Sequence, residues 1–94
     1  MIKHIVMWKF KEGCEEEAKE FLAGLKSLYG QIPEIKSLEA GVSASEKNDC
    51  DAVLIACFET FADLEKYKND PRHVAVSSLC KQIRVERHSA DIVE

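Results

Sequence analysis

The sequence predicts an α+β fold of the ferredoxin-like type: β-α-β-β-α-β, a four-stranded antiparallel sheet with both helices on one face. Two observations support it. Segments 2–11 and 37–44 alternate apolar and polar residues as strands do, while 52–58 is apolar throughout, as expected of a central strand. Segments 14–29 and 60–83 instead repeat apolar residues at helical spacing. At 94 residues, we expect one domain spanning the whole chain, residues 1–94.

Composition excludes several classes of protein. The net charge of −4 argues against a nucleic-acid partner, which requires a basic surface. No apolar run approaches the roughly 20 residues that cross a bilayer, so no membrane partner is expected. The opening MIKHIVMWKF is typical of a strand and not of a signal peptide, which favours a cytoplasmic location. No His or Cys pair has metal-ligand spacing, and we predict neither a metal site nor a cofactor.

The first half of the chain contains a strand, a helix and a second strand. The first strand places alternate residues on one face, namely Ile2, His4, Val6, Trp8 and Phe10. The helix begins with three glutamates at its positive dipole end. Its predicted buried stripe consists of Ala18, Phe21, Leu22, Leu25, Leu28 and Tyr29.

The second half contains a helix that is broken in the middle. Thr60 and Asp63 resemble a capping box at its start. Asp70-Pro71 then interrupts it with a natural N-cap and first helical residue. The break places Tyr67 and His73, a phenol and an imidazole, on the two sides of one corner. A last, more polar strand is predicted over residues 84–93.

The sheet face that the helices leave open is partly apolar. Its predicted apolar residues are Ile5, Met7, Val53, Ile55 and Cys57. An exposed patch of this kind marks an interaction surface. We therefore predict that two copies of the chain stack sheet against sheet as a homodimer.

Three stretches resemble the stress-responsive A/B barrel domain, or Dabb family: KHIVMWKFK, LIACFETFADLEKYKNDPRHVAV and the polar last strand. The resemblance covers nearly the whole chain and is most specific at Tyr67, Asp70-Pro71 and His73-Val74. It implies a dimeric α+β barrel. Many members of the family have no assigned activity, whereas one branch, the olivetolic acid cyclase-type polyketide cyclases, closes rings by an intramolecular aldol-type reaction.

The resemblance implies a site between the sheet and the helices. His73 would act as a general base and Tyr67 would donate a hydrogen bond to a carbonyl oxygen, which is the pair that abstraction of an α-proton requires. His4 would point into the same cavity, and Leu22 and Leu25 would form its apolar wall. The chain differs from the cyclases in having Ala52 in place of a further histidine. It also has Trp8 in place of a smaller aliphatic residue, where the indole would border or fill the cavity.

The sequence is compatible with three functions. The first is a homodimeric domain that binds a small apolar ligand near His73, or none, with Tyr67 and His73 in a structural role. The second is a cyclase or isomerase that uses His73 and Tyr67 on a carbonyl compound. The third is a monooxygenase, supported only by analogy with other dimeric α+β barrels.

Overall fold

The computed structural model describes all 94 residues and confirms the predicted α+β architecture. Four strands form one antiparallel sheet in the order β2-β3-β1-β4, with three helices on one face because the predicted second helix is divided in two. The elements are β1 (Ile2–Phe10), α1 (Glu15–Ser27), β2 (Ser37–Val42), β3 (Ala52–Phe58), α2 (Phe61–Asn69), α3 (Pro71–Ile83) and β4 (Arg84–Val93). No helix has the length and apolar character needed to cross a membrane.

The core lies between the sheet and the helices. Alternate residues of β1 and β3 face it, because successive side chains of a strand point to opposite faces. Those residues are buried, and they pack against the apolar stripe of α1 and against α2 and α3. The residues that the sheet contributes to the core are Val6, Trp8, Ala52, Leu54, Ala56 and Phe58, and His4 is the one polar residue among them.

Helix α1 ends earlier than the sequence pattern predicts. Leu28 is its C-cap, and the chain turns at Gly30, whose φ of 90° is a conformation that glycine adopts without strain. Leu28 is buried as expected, but Tyr29 is 56% exposed. The prediction that Tyr29 belongs to the buried stripe is therefore wrong, because the helical period no longer applies beyond Leu28.

Helices α1 and α3 approach closely at a glycine. A Cβ atom at Gly24 would lie 3.1 Å from Cγ1 of Val76 on α3, which is closer than most Cβ contacts. A side chain at position 24 would therefore require Val76 to shift by a few tenths of an ångström.

Candidate functional site

Side-chain caps at the starts of α2 and α3 stabilise the corner that contains Tyr67 and His73. The Thr60 hydroxyl accepts a hydrogen bond from the Asp63 amide at the start of α2. Asp70 then ends α2 and caps α3, where its carboxylate accepts from the Arg72 amide at 2.9 Å. Pro71 occupies the first position of α3, where a missing N–H costs nothing. The Arg72 guanidinium also donates to this carboxylate and holds the pKa of Asp70 at about 2, well below its usual value.

Tyr67 and His73 meet on the two sides of this corner, as the sequence predicts. Their ring centroids are 4.3 Å apart, and the Tyr67 ring also packs on Phe58 at 5.1 Å. Tyr67 is fully buried, and its hydroxyl makes no hydrogen bond to the protein. Burial raises the pKa of this hydroxyl to about 12, so it remains a protonated donor at neutral pH.

The tautomer of His73 follows from its backbone partner. Its Nδ1 lies 3.1 Å from the Lys68 carbonyl, which can only accept, so Nδ1–H is the donor. In the neutral ring Nε2 then carries the lone pair. Burial is the main cause that lowers the pKa of His73, and the hydrogen bond to Lys68 opposes it. The ring is therefore neutral at pH 7 and able to accept a proton.

The second histidine of the site, His4, also has a hydrogen-bond partner at Nδ1. That partner is Asp91, which was not predicted from the sequence. Nδ1 of His4 lies 2.5 Å from a carboxylate oxygen of Asp91, directly opposite it in the β1–β4 register. The other carboxylate oxygen lies 3.9 Å from Nζ of Lys68. Burial lowers the pKa of His4 and outweighs the opposing effect of Asp91. Asp91 lies 87 residues from His4 in the sequence, and only the pairing of β4 with β1 brings the two together.

These groups surround a small cavity of about 50 Å³. Its polar lining consists of His4, Tyr67, His73, Ser77, Arg84 and Arg87; its apolar lining consists of Val6, Trp8, Phe21, Leu25, Leu54 and Cys80. Besides Tyr67 and His73, the sequence predicts four ligand-contacting residues, namely His4, Trp8, Leu22 and Leu25. The structure places His4, Trp8 and Leu25 at the cavity, whereas Leu22 is buried in the core and does not line it.

Trp8 limits the size of this cavity. Its indole is almost completely buried and meets Phe21 edge to face, with centroids 5.0 Å apart and an interplanar angle of 89°. This is a favoured geometry for an aromatic pair. The cavity is far below the roughly 300 Å³ at which pockets for drug-sized molecules begin. It accommodates a group of a few heavy atoms while Trp8 keeps this position.

A larger depression lies at the opposite end of β1. It has a volume of about 460 Å³ and is open on one side. Lysines 9, 11 and 19 line it together with Phe10, Val42 and the start of α1. It contains no buried polar side chain without a partner, so the smaller cavity is the better candidate for a functional site. No group of three or more His, Cys, Asp or Glu residues is placed to hold a metal ion.

A family-wide sequence pattern matches nearly the whole chain and identifies its family. The sequence pattern of the stress responsive A/B barrel domain, Dabb, matches residues 2–94. The chain belongs to the Dabb family. No protein with a curated description matches this Dabb domain.

Solved structures of other proteins share the fold of this Dabb domain. A dimeric ferredoxin-like protein of unknown function from Bacteroides fragilis is 23% identical, with a TM-score of 0.90 over 99% of this chain and 95% of that one. A Dabb family protein with a ferredoxin-like fold from Mesorhizobium loti is 25% identical, with a TM-score of 0.82 over 99% and 95%. Hydroxynitrile lyase from Passiflora edulis is 14% identical, with a TM-score of 0.86 over 99% and 92%. These matches establish the fold and assign no activity to this chain.

Proposed function

We propose that this Dabb domain binds a small carbonyl compound in the cavity beside His4, Tyr67 and His73. The observation that carries the proposal is the Tyr67 hydroxyl, which is buried and has no protein partner. A buried donor left unpaired costs about 1–3 kcal/mol, and a ligand oxygen that accepts from it recovers that cost. A carbonyl oxygen is such an acceptor, and the apolar lining suits a short hydrocarbon part.

The binding test uses the two tyrosines of the chain. A thermal-shift screen of small aliphatic and aromatic carbonyl compounds is run on the wild type and on Tyr67→Phe, which removes only the hydroxyl. Tyr29→Phe is the matched control, because Tyr29 is exposed and lies outside the cavity. We expect stabilisation of the wild type and of Tyr29→Phe and its loss in Tyr67→Phe. Binding that is equal in all three proteins, or absent from all three, contradicts the proposal.

The state of His73 favours a second candidate function, which is proton transfer to and from the bound carbonyl compound. Its Nδ1–H is committed to the Lys68 carbonyl, so Nε2 is the basic atom of a neutral ring at the cavity. Nε2 would remove a proton alpha to the carbonyl. The C–H electron pair would form the enolate double bond, and the Tyr67 O–H would donate to the enolate oxygen. The Passiflora hydroxynitrile lyase demonstrates only that this fold can host an enzyme.

Isotope exchange separates catalysis from binding alone. A carbonyl compound that binds is incubated with the protein in heavy water, and exchange of its α-protons is followed by NMR. We expect exchange above the buffer rate with the wild type and with His88→Gln, since His88 is exposed and outside the cavity. His73→Gln is expected to lose the enhancement, typically 10²–10⁴-fold for a general base. Binding without exchange would leave a binding domain and exclude this chemistry for that compound.

We also propose that the chain forms a homodimer through the open face of the sheet. Met7, at the centre of that face, is 40% exposed, and half-buried Ile5, Val53 and Ile55 surround it with further apolar surface. The description of the Bacteroides protein as dimeric supports self-association. A stable interface is expected to bury such a patch and to lose stability when a charge enters its centre.

Light scattering on two aspartate variants tests the dimer. Met7→Asp introduces a charge on the open face and is expected to yield monomers at micromolar concentration. Val42→Asp is the control, because Val42 is an exposed apolar residue on the opposite face of the sheet. A monomeric wild type, or a dimer that tolerates Met7→Asp, would overturn this arrangement.

A further inference from the structure

Two arginines form the accessible side of the cavity. Arg84 stands where α3 meets β4, and Arg87 lies opposite Trp8 in the β1–β4 register, on the face that the helices cover. Both line the cavity, and both are more exposed than the buried His4 and Tyr67 deeper in it. The cavity therefore has a hydroxyl donor at its inner end and two guanidinium groups toward solvent.

These guanidinium groups have no carboxylate partner. Neither Arg84 nor Arg87 takes part in an ion pair, and the only side-chain hydrogen bond of Arg87 goes to the Ser89 hydroxyl at 3.4 Å. No Asp or Glu lines the cavity. The chain has 17 acidic and 13 basic residues, so acidic groups are available in excess, and yet none is placed here.

Asp91, the carboxylate that contacts the cavity-lining His4, already has two partners. Asp91 accepts from His4 with one carboxylate oxygen, and its other oxygen lies 3.9 Å from Nζ of Lys68. The positive charge of Arg87 also acts on His4 and His73. Burial is the main cause that lowers the pKa of both His4 and His73, and the charge of Arg87 lowers both further. Arg87 therefore favours an anion in the cavity, while the charge of Asp91 opposes one beside His4.

We infer that the ligand is a small oxo acid, whose carboxylate binds Arg84 and Arg87 while its carbonyl oxygen accepts from Tyr67. This inference rests on the proposed function and adds the class of ligand to it. The guanidinium group suits a carboxylate because its N–H donors match the two oxygens in one plane. Only the carbonyl end has to enter the 50 Å³ cavity, because the arginines stand on its solvent side.

Calorimetry with pyruvate and pyruvamide tests the charge requirement. The two compounds have nearly the same shape and the same ketone, but only pyruvate carries a charge. We expect the wild type to bind pyruvate about tenfold more tightly than pyruvamide, as one hydrogen-bonded charge pair provides. Added salt is expected to weaken pyruvate binding and to leave pyruvamide binding unchanged.

Four variants locate the effect. Arg84→Gln and Arg87→Gln are each expected to reduce the preference for pyruvate, and the double variant is expected to abolish it. Lys47→Gln changes the net charge by the same amount in an exposed loop away from the cavity, and it is expected to retain the preference.

The outcomes distinguish this inference from the proposed function. Binding of both compounds with equal affinity, lost in Tyr67→Phe, overturns the requirement for a carboxylate and leaves the carbonyl site standing. A preference for pyruvate that survives in the double arginine variant also overturns the inference. If neither these compounds nor any neutral carbonyl compound binds, the proposed function fails and the inference fails with it.

Discussion

Strand β1 contributes to two very different ends of one core. At one end Trp8 packs edge to face on Phe21, in a wholly apolar contact. Four residues earlier on the same face, His4 lies among Tyr67, His73 and Asp91. The first end is arranged as a protein interior is expected to be, whereas the second retains a buried hydroxyl without a partner. The difference indicates that the Trp8–Phe21 pair forms a packed wall of the cavity, whereas the unpaired hydroxyl beside His4 is available to a ligand.

The largest effect is expected at the Trp8 end. Trp8→Ala removes a buried aromatic side chain and leaves a void beside Phe21, at a cost of about 3–5 kcal/mol in the free energy of unfolding. Urea denaturation measures this cost. A loss below about 1 kcal/mol would show that the indole is loosely held, and the comparison between the two ends would fail.

An intermediate effect is expected from Asp91→Ala. This change removes a charged hydrogen bond to a buried imidazole, and such bonds contribute about 1.5–3 kcal/mol. Asp49→Ala is the control, because Asp49 lies in an exposed loop. Urea denaturation of both variants should show a clear loss for Asp91→Ala only. Equal stabilities would mean that the His4 imidazole does not need this carboxylate.

The pH dependence of the free energy of unfolding tests whether His4 and His73 are buried in the neutral form. His4 and His73 have folded-state pKa values below the 6.5 of an unperturbed histidine, chiefly because of burial. Below pH 6.5 the unfolded chain therefore binds more protons, so the free energy of unfolding falls as the pH drops toward the folded pKa values. Urea denaturation at pH 7.5 and pH 5 should show a smaller fall in His73→Gln than in the wild type.

His88→Gln is the control for this experiment. His88 lies opposite Met7 on the open face of the sheet and outside the cavity, so its replacement is expected to retain the contributions of His4 and His73 to the fall. A fall of the same size in the wild type and in His73→Gln would contradict the lowered pKa of His73.

The elements of this fold could be predicted from the sequence because their signals are local. Strand alternation, the Thr60 cap and the Asp70-Pro71 break each depend on residues within one or two turns, and the structure shows all of them. The same locality brought Tyr67 and His73 together, since they are six residues apart. Tyr29 was misplaced because a periodic pattern does not specify the turn at which a helix ends.

The rest of the site depends on contacts between distant parts of the chain. Asp91 reaches His4 across 87 residues of sequence, and only the strand register brings the two together. Arg87 could not be predicted for the same reason, since only the β1–β4 register places it opposite Trp8. Leu22 and Leu25 are three residues apart on one helix face, yet only Leu25 reaches the cavity, a distinction that the exact placement of α1 decides.

The smallest change in the free energy of unfolding is expected for Tyr67→Phe, and this variant tests the central claim most directly. Tyr67→Phe keeps the ring that packs on Phe58 and His73 and removes only the unpaired hydroxyl. Urea denaturation of this variant without ligand tests most directly whether the hydroxyl belongs to the fold or to a ligand. The hydroxyl makes no hydrogen bond to the protein, so we expect the variant to be as stable as the wild type or more stable by up to about 1 kcal/mol. A loss of 1 kcal/mol or more would show that the hydroxyl stabilises the fold itself, and it would contradict the assignment of this end of the core to ligand binding.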